Sequence, residues 1–267
     1  MKLLVQGDDY GFTKGVTFGI LDAADNGILT CTGLFANAPY AEFAVKEMAK
    51  RPHVCLGIDF NIVSGTPISE PQEIPHLVDG NGDFTRSGVY VKNPLYQSEE
   101  GRRTLFPYDE VYRELRAQYD KFVELAKKKP GYLHGHSIMP EPYNEAMQQI
   151  AEEEGIGIGM DMQAKWGFVN KMKLENKELS FMKKEFNPLA QLEKDPEKDF
   201  FALADRFLEY EYVSIGGHPG FVDNELMGLT TLSLERMKDH AFYTSKAMKQ
   251  WIKDHHVELI SYYDLKS

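Results

Sequence analysis

The chain has 267 residues, 42% hydrophobic and 27% charged, enough to bury a sizeable core with the composition of an ordinary soluble globular protein. A formal charge of -11 argues against nucleic acid as partner, because a phosphate backbone needs a basic face. Two cysteines, Cys31 and Cys55, lie in the apolar stretches LTCTGLF and VCLGI, which excludes a disulfide framework and fits buried thiols in a reducing cytoplasm.

In chain order, short apolar runs alternate with helical patterns. LLVQG (3–7) reads as a strand. Its three apolar residues are too few for a signal peptide or membrane span, so the expected protein is cytoplasmic and has no membrane partner. A helix is expected over 16–26, a strand at TCTGLFANA (30–38), a helix over 41–50 and a strand at VCLGIDFNI (54–62). A long helix over 108–129 closes at Pro130-Gly131, and GYLHGH (131–136) is the next strand. A helix over 142–154 stops at Gly155, and IGIGMD (156–161) reads as a fifth strand. A helix over 199–209 precedes YVSIGGH (212–218), and 232–254 leads into VELISYY (257–263). The lysines at 127–129 and 183–184 read as solvated helix ends.

Strands followed by helices are the mark of a parallel sheet with crossover helices, and about seven such strands favour an irregular (β/α) barrel of TIM type. No linker divides the chain, so a single domain over 1–267 is expected. Two long interruptions, 63–106 and 162–198, are expected to act as lids or oligomer contacts. Within the first, DGNGD reads as a hairpin tip.

In a βα barrel the reactive groups gather at the carboxyl ends of the strands. Those ends carry Asp8-Asp9, Asn37, Asp59 with Asn61, His134 with His136, Asp161, His218, and Tyr262-Tyr263-Asp264. Neighbouring strand side chains point to opposite faces, so Asp8 and Asp9 can act together only where the backbone breaks, as Tyr10-Gly11 permits. The pair is then either a cap with a surface acid or a metal ligand beside a proton acceptor. Asp59 lies among apolar residues and must find a partner, because an unpaired buried carboxylate is costly. His134 and His136 share the strand period and face one side, as a metal-ligand pair would. His218, in GGHPG, stands on a stiff turn where it can donate a proton near neutral pH.

Taken together, these motifs resemble the YdjC-type carbohydrate deacetylases, the chitooligosaccharide deacetylase family. VQGDDYGFTKGVTFGILDAADNGILTCTGLFANAP is similar to that family's opening strand, D-D-F-G turn, helix and second strand. LGIDFNIVSGTPI, KPGYLHGHSIMP, IGGHPGFVDNEL and ISYYDL resemble its later motifs in the same order. The resemblance implies an irregular barrel that removes N-acetyl groups from sugars, phosphorylated ones of the chitobiose type included, with one divalent metal. It implies Asp9, Asp59 and His136 as metal ligands, Asp8 as general base and His218 as general acid. Asn37, Asn61, His134, Asp161 and Tyr263 are the expected substrate contacts, and a homodimer is the expected assembly.

The chain departs from the family where Asp59 replaces a histidine, His134 replaces an aspartate, Ser137-Ile138 replaces two histidines, and Gly159 stands for an arginine. Oxygen ligands at Asp9 and Asp59 lean toward Mg²⁺, with Mn²⁺ or Zn²⁺ as alternatives. The loop 63–106 is expected to close over the sugar with Phe60, Tyr90 and Tyr96 as stacking faces, and Arg86, Arg102 and Arg103 are the cations available to a phosphate. Two other readings stay open: a glycoside hydrolase, which needs two carboxylates about 5–9.5 Å apart, and a catalytically silent sugar binder with a drifted metal site.

Overall fold

A computed structural model describes residues 1–176 and 186–265. Among the described residues the apolar runs form six strands: β1 (Lys2–Tyr10), β2 (Cys31–Leu34), β3 (Cys55–Phe60), β4 (Leu133–Gly135), β5 (Tyr212–Gly217) and β6 (Glu258–Ile260). All pairs are parallel, in the order β4-β3-β2-β1-β5, with β6 also on β1. β5 takes one edge of β1 from Lys2 to Gly7. The other edge is divided: Lys2 to Leu4 pair with β6, and Gln6 onward pairs with β2.

This arrangement corrects the expected seven-strand closed barrel to a half-barrel. β4 and β5 remain the edges, and each is extended by a single residue, Ile158 beside Leu133 and Val169 beside Val213. The expected strand over 156–161 contributes only that one bridge, because the chain turns into the helix Gly159–Lys165. Gly159 packs so closely that a side chain there would come within 2.8 Å of the Tyr262 hydroxyl. The last expected strand is likewise short, since Ser261 caps a 3₁₀ turn over Tyr262–Asp264.

The helix Lys14–Asn26 starts where Thr13 Oγ1 accepts the Val16 N–H, and it buries Val16, Ile20, Leu21, Ala23 and Ala24. Val16, Ile20 and Leu21 each contribute roughly 1.5–3 kcal/mol on full burial. Tyr108–Ala126 ends earlier than expected because Lys127 turns left-handed at φ 55, and Glu141–Glu154 ends at Gly155 as expected. The expected helix 232–254 divides into Glu235–Tyr243 and Lys246–Asp254, where the Ser245 hydroxyl accepts the Met248 N–H and starts a new helix. The expected helix 199–209 divides into Pro196–Phe201 and Ala204–Phe207. Residues 63–106 hold short helices, Ser87–Lys92 and Glu99–Leu105 among them, and the DGNGD tip is a hairpin turn with Gly82 at φ 84 and Val78 bridged to Phe84. Lys183 and Lys184 lie outside the described residues.

Leu4, Gln6 and Asp8 share one face of β1, by the two-residue period of a strand. Leu4 packs with Cys31, Cys55, Tyr132, Ile260 and Tyr262. Leu3 and Val5, on the opposite face, join the main core with the helices. The inner face therefore runs from apolar floor to polar mouth. Both cysteines are buried free thiols. Among the described residues no helix is long and apolar enough to cross a membrane.

Candidate active site

The register of β1 against β2 slips between Gly7 and Tyr10, so one extra residue bulges from β1 where the two acids lie. The break falls on Asp9 itself, at φ 70, followed by Gly11 at φ 86. Aspartate is among the few residue types that tolerate the left-handed region. The bulge brings both carboxylates to a cleft of 1060 Å³, which Asp59, His134, His136, His218 and Arg236 also line.

Asp9 is fully buried, with an arginine and a histidine against its two oxygens. Arg236 Nη2 donates to its Oδ2 at 2.5 Å, and His136 Nδ1 lies 2.9 Å from its Oδ1 without hydrogen-bond alignment. Burial alone would raise this carboxyl, but the charges of His136 and Arg236 hold it well below the usual range. Arg236, 1% exposed, is fixed in turn by its Nε bond to the Leu232 carbonyl. Sequence reading missed this arginine, and a single basic residue in the first turn of a helix gives no signal that it faces an acid 227 positions away.

Asp59 is buried beside Asp9 yet has no cationic partner of its own kind. Its Oδ2 accepts the Asp9 backbone N–H at 2.8 Å, while Oδ1 is buried with no hydrogen-bond partner among the described residues. Burial, then the charges of Asp8 and Asp9, push its carboxyl well above the usual range. Gly33 makes the space: a Cβ there would stand 1.9 Å from Asp59 Oδ1. Asp8, Asp59 and His134 each offer one ligand atom, all within 4.8 Å of one another. Two carboxylate oxygens and an imidazole nitrogen around an unsatisfied buried oxygen fit a divalent cation. The expected ligands thus fall into two groups. Asp59 stands with Asp8 and His134, whereas Asp9 and His136 pair with each other and with Arg236.

The model of the YdjC-like protein family matches residues 2–254. The chain belongs to the YdjC-like family. A relative named carbohydrate deacetylase 2, from Listeria innocua, is 32% identical over 270 residues, 99% of each chain. A chitooligosaccharide deacetylase from Klebsiella pneumoniae is 28% identical over 98% of each chain. A solved structure from Enterococcus faecalis, named as a candidate cellobiose-phosphate cleavage protein, shares the fold at a TM-score of 0.74 and 20% identity, covering 100% of this chain and 99% of that one.

In this YdjC-like protein, His218 lines the cleft at the end of β5, its backbone N–H donating to Asp239 Oδ2 at 3.0 Å. Asn37 and Asn61, expected to contact substrate, lie back from the cleft. Asn61 Oδ1 accepts the Val63 and Ser64 N–H groups, and both side-chain amides donate to the Ser64 carbonyl, so they hold the turn at the start of the long loop. Asp161 is exposed on the helix Gly159–Lys165, away from the cleft lining. Tyr263 packs by Gly131 and Lys128, at the amino ends of the strands, and so on the opposite side from the acids. Of the expected stacking faces, Phe60 and Tyr90 are buried and Tyr96 packs on Phe106, whereas Phe186 lines the cleft at 45% exposure. Arg102 is paired with Glu141, and Arg103 with Glu99 and Glu145. Arg86 lines the cleft, donating to the Gly228 carbonyl at 2.9 Å.

Proposed function

We propose that this YdjC-like protein hydrolyses the N-acetyl group of an acetylated sugar or oligosaccharide, with or without a phosphate, and that Asp8, Asp59 and His134 hold a divalent cation, Mg²⁺ in the first instance. The observation that carries the cation is that Asp59, with one buried oxygen unpartnered among the described residues, offers a ligand atom within 4.8 Å of those of Asp8 and His134. The names of the relatives carry the substrate class.

A divalent cation in such a site supplies Lewis acidity, which polarises an amide carbonyl and makes bound water a better nucleophile. The chain's own residues do the rest. His136 turns Nδ1 toward Asp9, at 2.9 Å, which leaves Nε2 as the acceptor of a proton from the attacking water. Arg236 keeps Asp9 ionised and in place for that task. His218 donates a proton to the amine nitrogen as the carbon–nitrogen bond breaks, giving acetate and the free amino sugar. Asp8, which the family resemblance implies as the base, acts in this reading as a ligand. Arg86 is the cleft cation available to an anionic substituent on the sugar.

The test is acetate release from N-acetylglucosamine oligomers before and after EDTA. Loss on chelation and recovery with Mg²⁺ or Mn²⁺ is the expected result. Release that ignores the chelator overturns the cation. New reducing ends without acetate would establish a glycoside hydrolase instead, and saturable sugar binding with no turnover would establish a silent binder.

A further inference from the structure

Beneath the acids, a chain of hydrogen bonds crosses the barrel interior with every donor aimed toward Asp8. Ser214 Oγ donates to Gln163 Oε1 at 2.8 Å, and Gln163 Nε2 donates to the Tyr262 hydroxyl at 2.6 Å. Tyr262 donates to Gln6 Oε1 at 2.7 Å, and Gln6 Nε2 donates to Asp8 Oδ1 at 2.6 Å. Gln6 and Tyr262 are both buried.

The direction of this chain is set by chemistry. A carboxylate only accepts, so Gln6 must turn its NH₂ toward Asp8 and its oxygen toward Tyr262. The Tyr262 hydroxyl has one proton, and it already receives a hydrogen from Gln163, so that proton goes to Gln6. Burial raises the Tyr262 phenol well above its ordinary range, which keeps the proton on the oxygen. If the Gln6 amide flipped, its oxygen would face Asp8 Oδ1 and its NH₂ would compete with the Tyr262 hydrogen. A separate bond, from the Tyr243 hydroxyl to the Gln6 backbone carbonyl at 2.7 Å, holds the strand and has no bearing on the amide's orientation.

We infer that Tyr262 and Gln6 are positioning residues that pin Oδ1 of Asp8 and leave Oδ2 turned toward His134 and Asp59 as a single ligand oxygen. Asp8 Oδ2 lies 3.9 Å from His134 Nε2, while Gln6 holds the other oxygen, Oδ1. The inference rests on the reading of Asp8 as a cation ligand. Outer groups that orient a metal ligand commonly change affinity about 10–100-fold when removed.

The measurement is Mn²⁺ affinity of the full chain, stripped with EDTA and titrated with Mn²⁺ alone by electron paramagnetic resonance. Tyr262→Phe is expected to weaken Mn²⁺ about tenfold, and Gln6→Leu at least as much. The double variant should bind no more weakly than Gln6→Leu, because both changes cut one chain. Tyr243→Phe, which removes the backbone bond only, should lower Tm and leave Mn²⁺ affinity unchanged. If Gln6→Leu does not fold, Tyr262→Phe against Tyr243→Phe decides. Wild-type affinity in Tyr262→Phe, or an equal loss in Tyr243→Phe, overturns the positioning role while the cation site stands. An unaltered protein that binds no Mn²⁺ overturns the cation site and the positioning role together.

Discussion

Asp9 and Asp59 are joined by one hydrogen bond and equally hidden from water, yet their surroundings have opposite electrostatic character. Asp9 has a guanidinium and an imidazole against its two oxygens, and its charge is compensated within the chain. Asp59 has a backbone N–H on one oxygen, nothing among the described residues on the other, and two more acids nearby. Buried charge that lacks a partner is either neutralised by a proton or matched by a cation. The difference leaves Asp59 as the uncompensated member of the pair, although the family resemblance implies both acids in one ligand set.

The most severe way to break this contrast is to strip Asp9 of its partner. Arg236→Met should destabilise the protein by about 3–5 kcal/mol in urea unfolding, because it leaves a buried carboxylate uncompensated. An unchanged urea midpoint would mean that the pair contributes nothing. Asp59→Asn should act in the other sense: Mn²⁺ binding and acetate release fall by roughly a hundredfold or more, while the metal-free protein becomes no less stable.

The two acids also have opposite pH signatures. Asp9, held low, adds stability above the ordinary carboxylate range and loses it as pH falls through its depressed value. Asp59, held high, makes the metal-free fold weaken as pH rises from the ordinary range toward its raised value. In EDTA, Tm of the unaltered protein should drop as pH rises above the ordinary carboxylate range, and Asp59→Asn should remove that slope. A slope common to both proteins would assign the titration to another group.

Saturating Mn²⁺ should then restore stability, by about 2.7 kcal/mol at a hundred times Kd, in wild type and not in Asp59→Asn. Smallest of all is Glu141→Gln. Arg102 holds Glu141 down to about 2, but the pair is partly exposed, so its loss should cost under about 1 kcal/mol and leave Mn²⁺ affinity untouched. A change in Mn²⁺ affinity there would show that the loop arginines reach the site after all.

Much of this was legible in the sequence. The strands at 3–7, 54–62 and 131–136 stand out because apolar runs bounded by turn residues have few alternatives, and the H-x-H period correctly set both histidines on the cleft side. The run at 156–161 misled because close packing of Gly159 against Tyr262 redirects the chain, and no local pattern encodes that contact. Asn37 and Asn61 look like site residues since strand-end amides suit either a ligand or a turn, and only the geometry of 61–66 distinguishes the two. Arg236 and the Gln6–Tyr262 bond depend on residues brought together from opposite ends of the chain. Periodicity carries no information of that range.

The left-handed torsion at Asp9 also limits how that position can be changed. Alanine there would combine loss of the carboxylate with roughly 1–2 kcal/mol of backbone strain, whereas asparagine or glycine keeps the bend at little cost. The bend therefore adds a second constraint to the charge that buried Arg236 demands, and aspartate is a side chain that meets both.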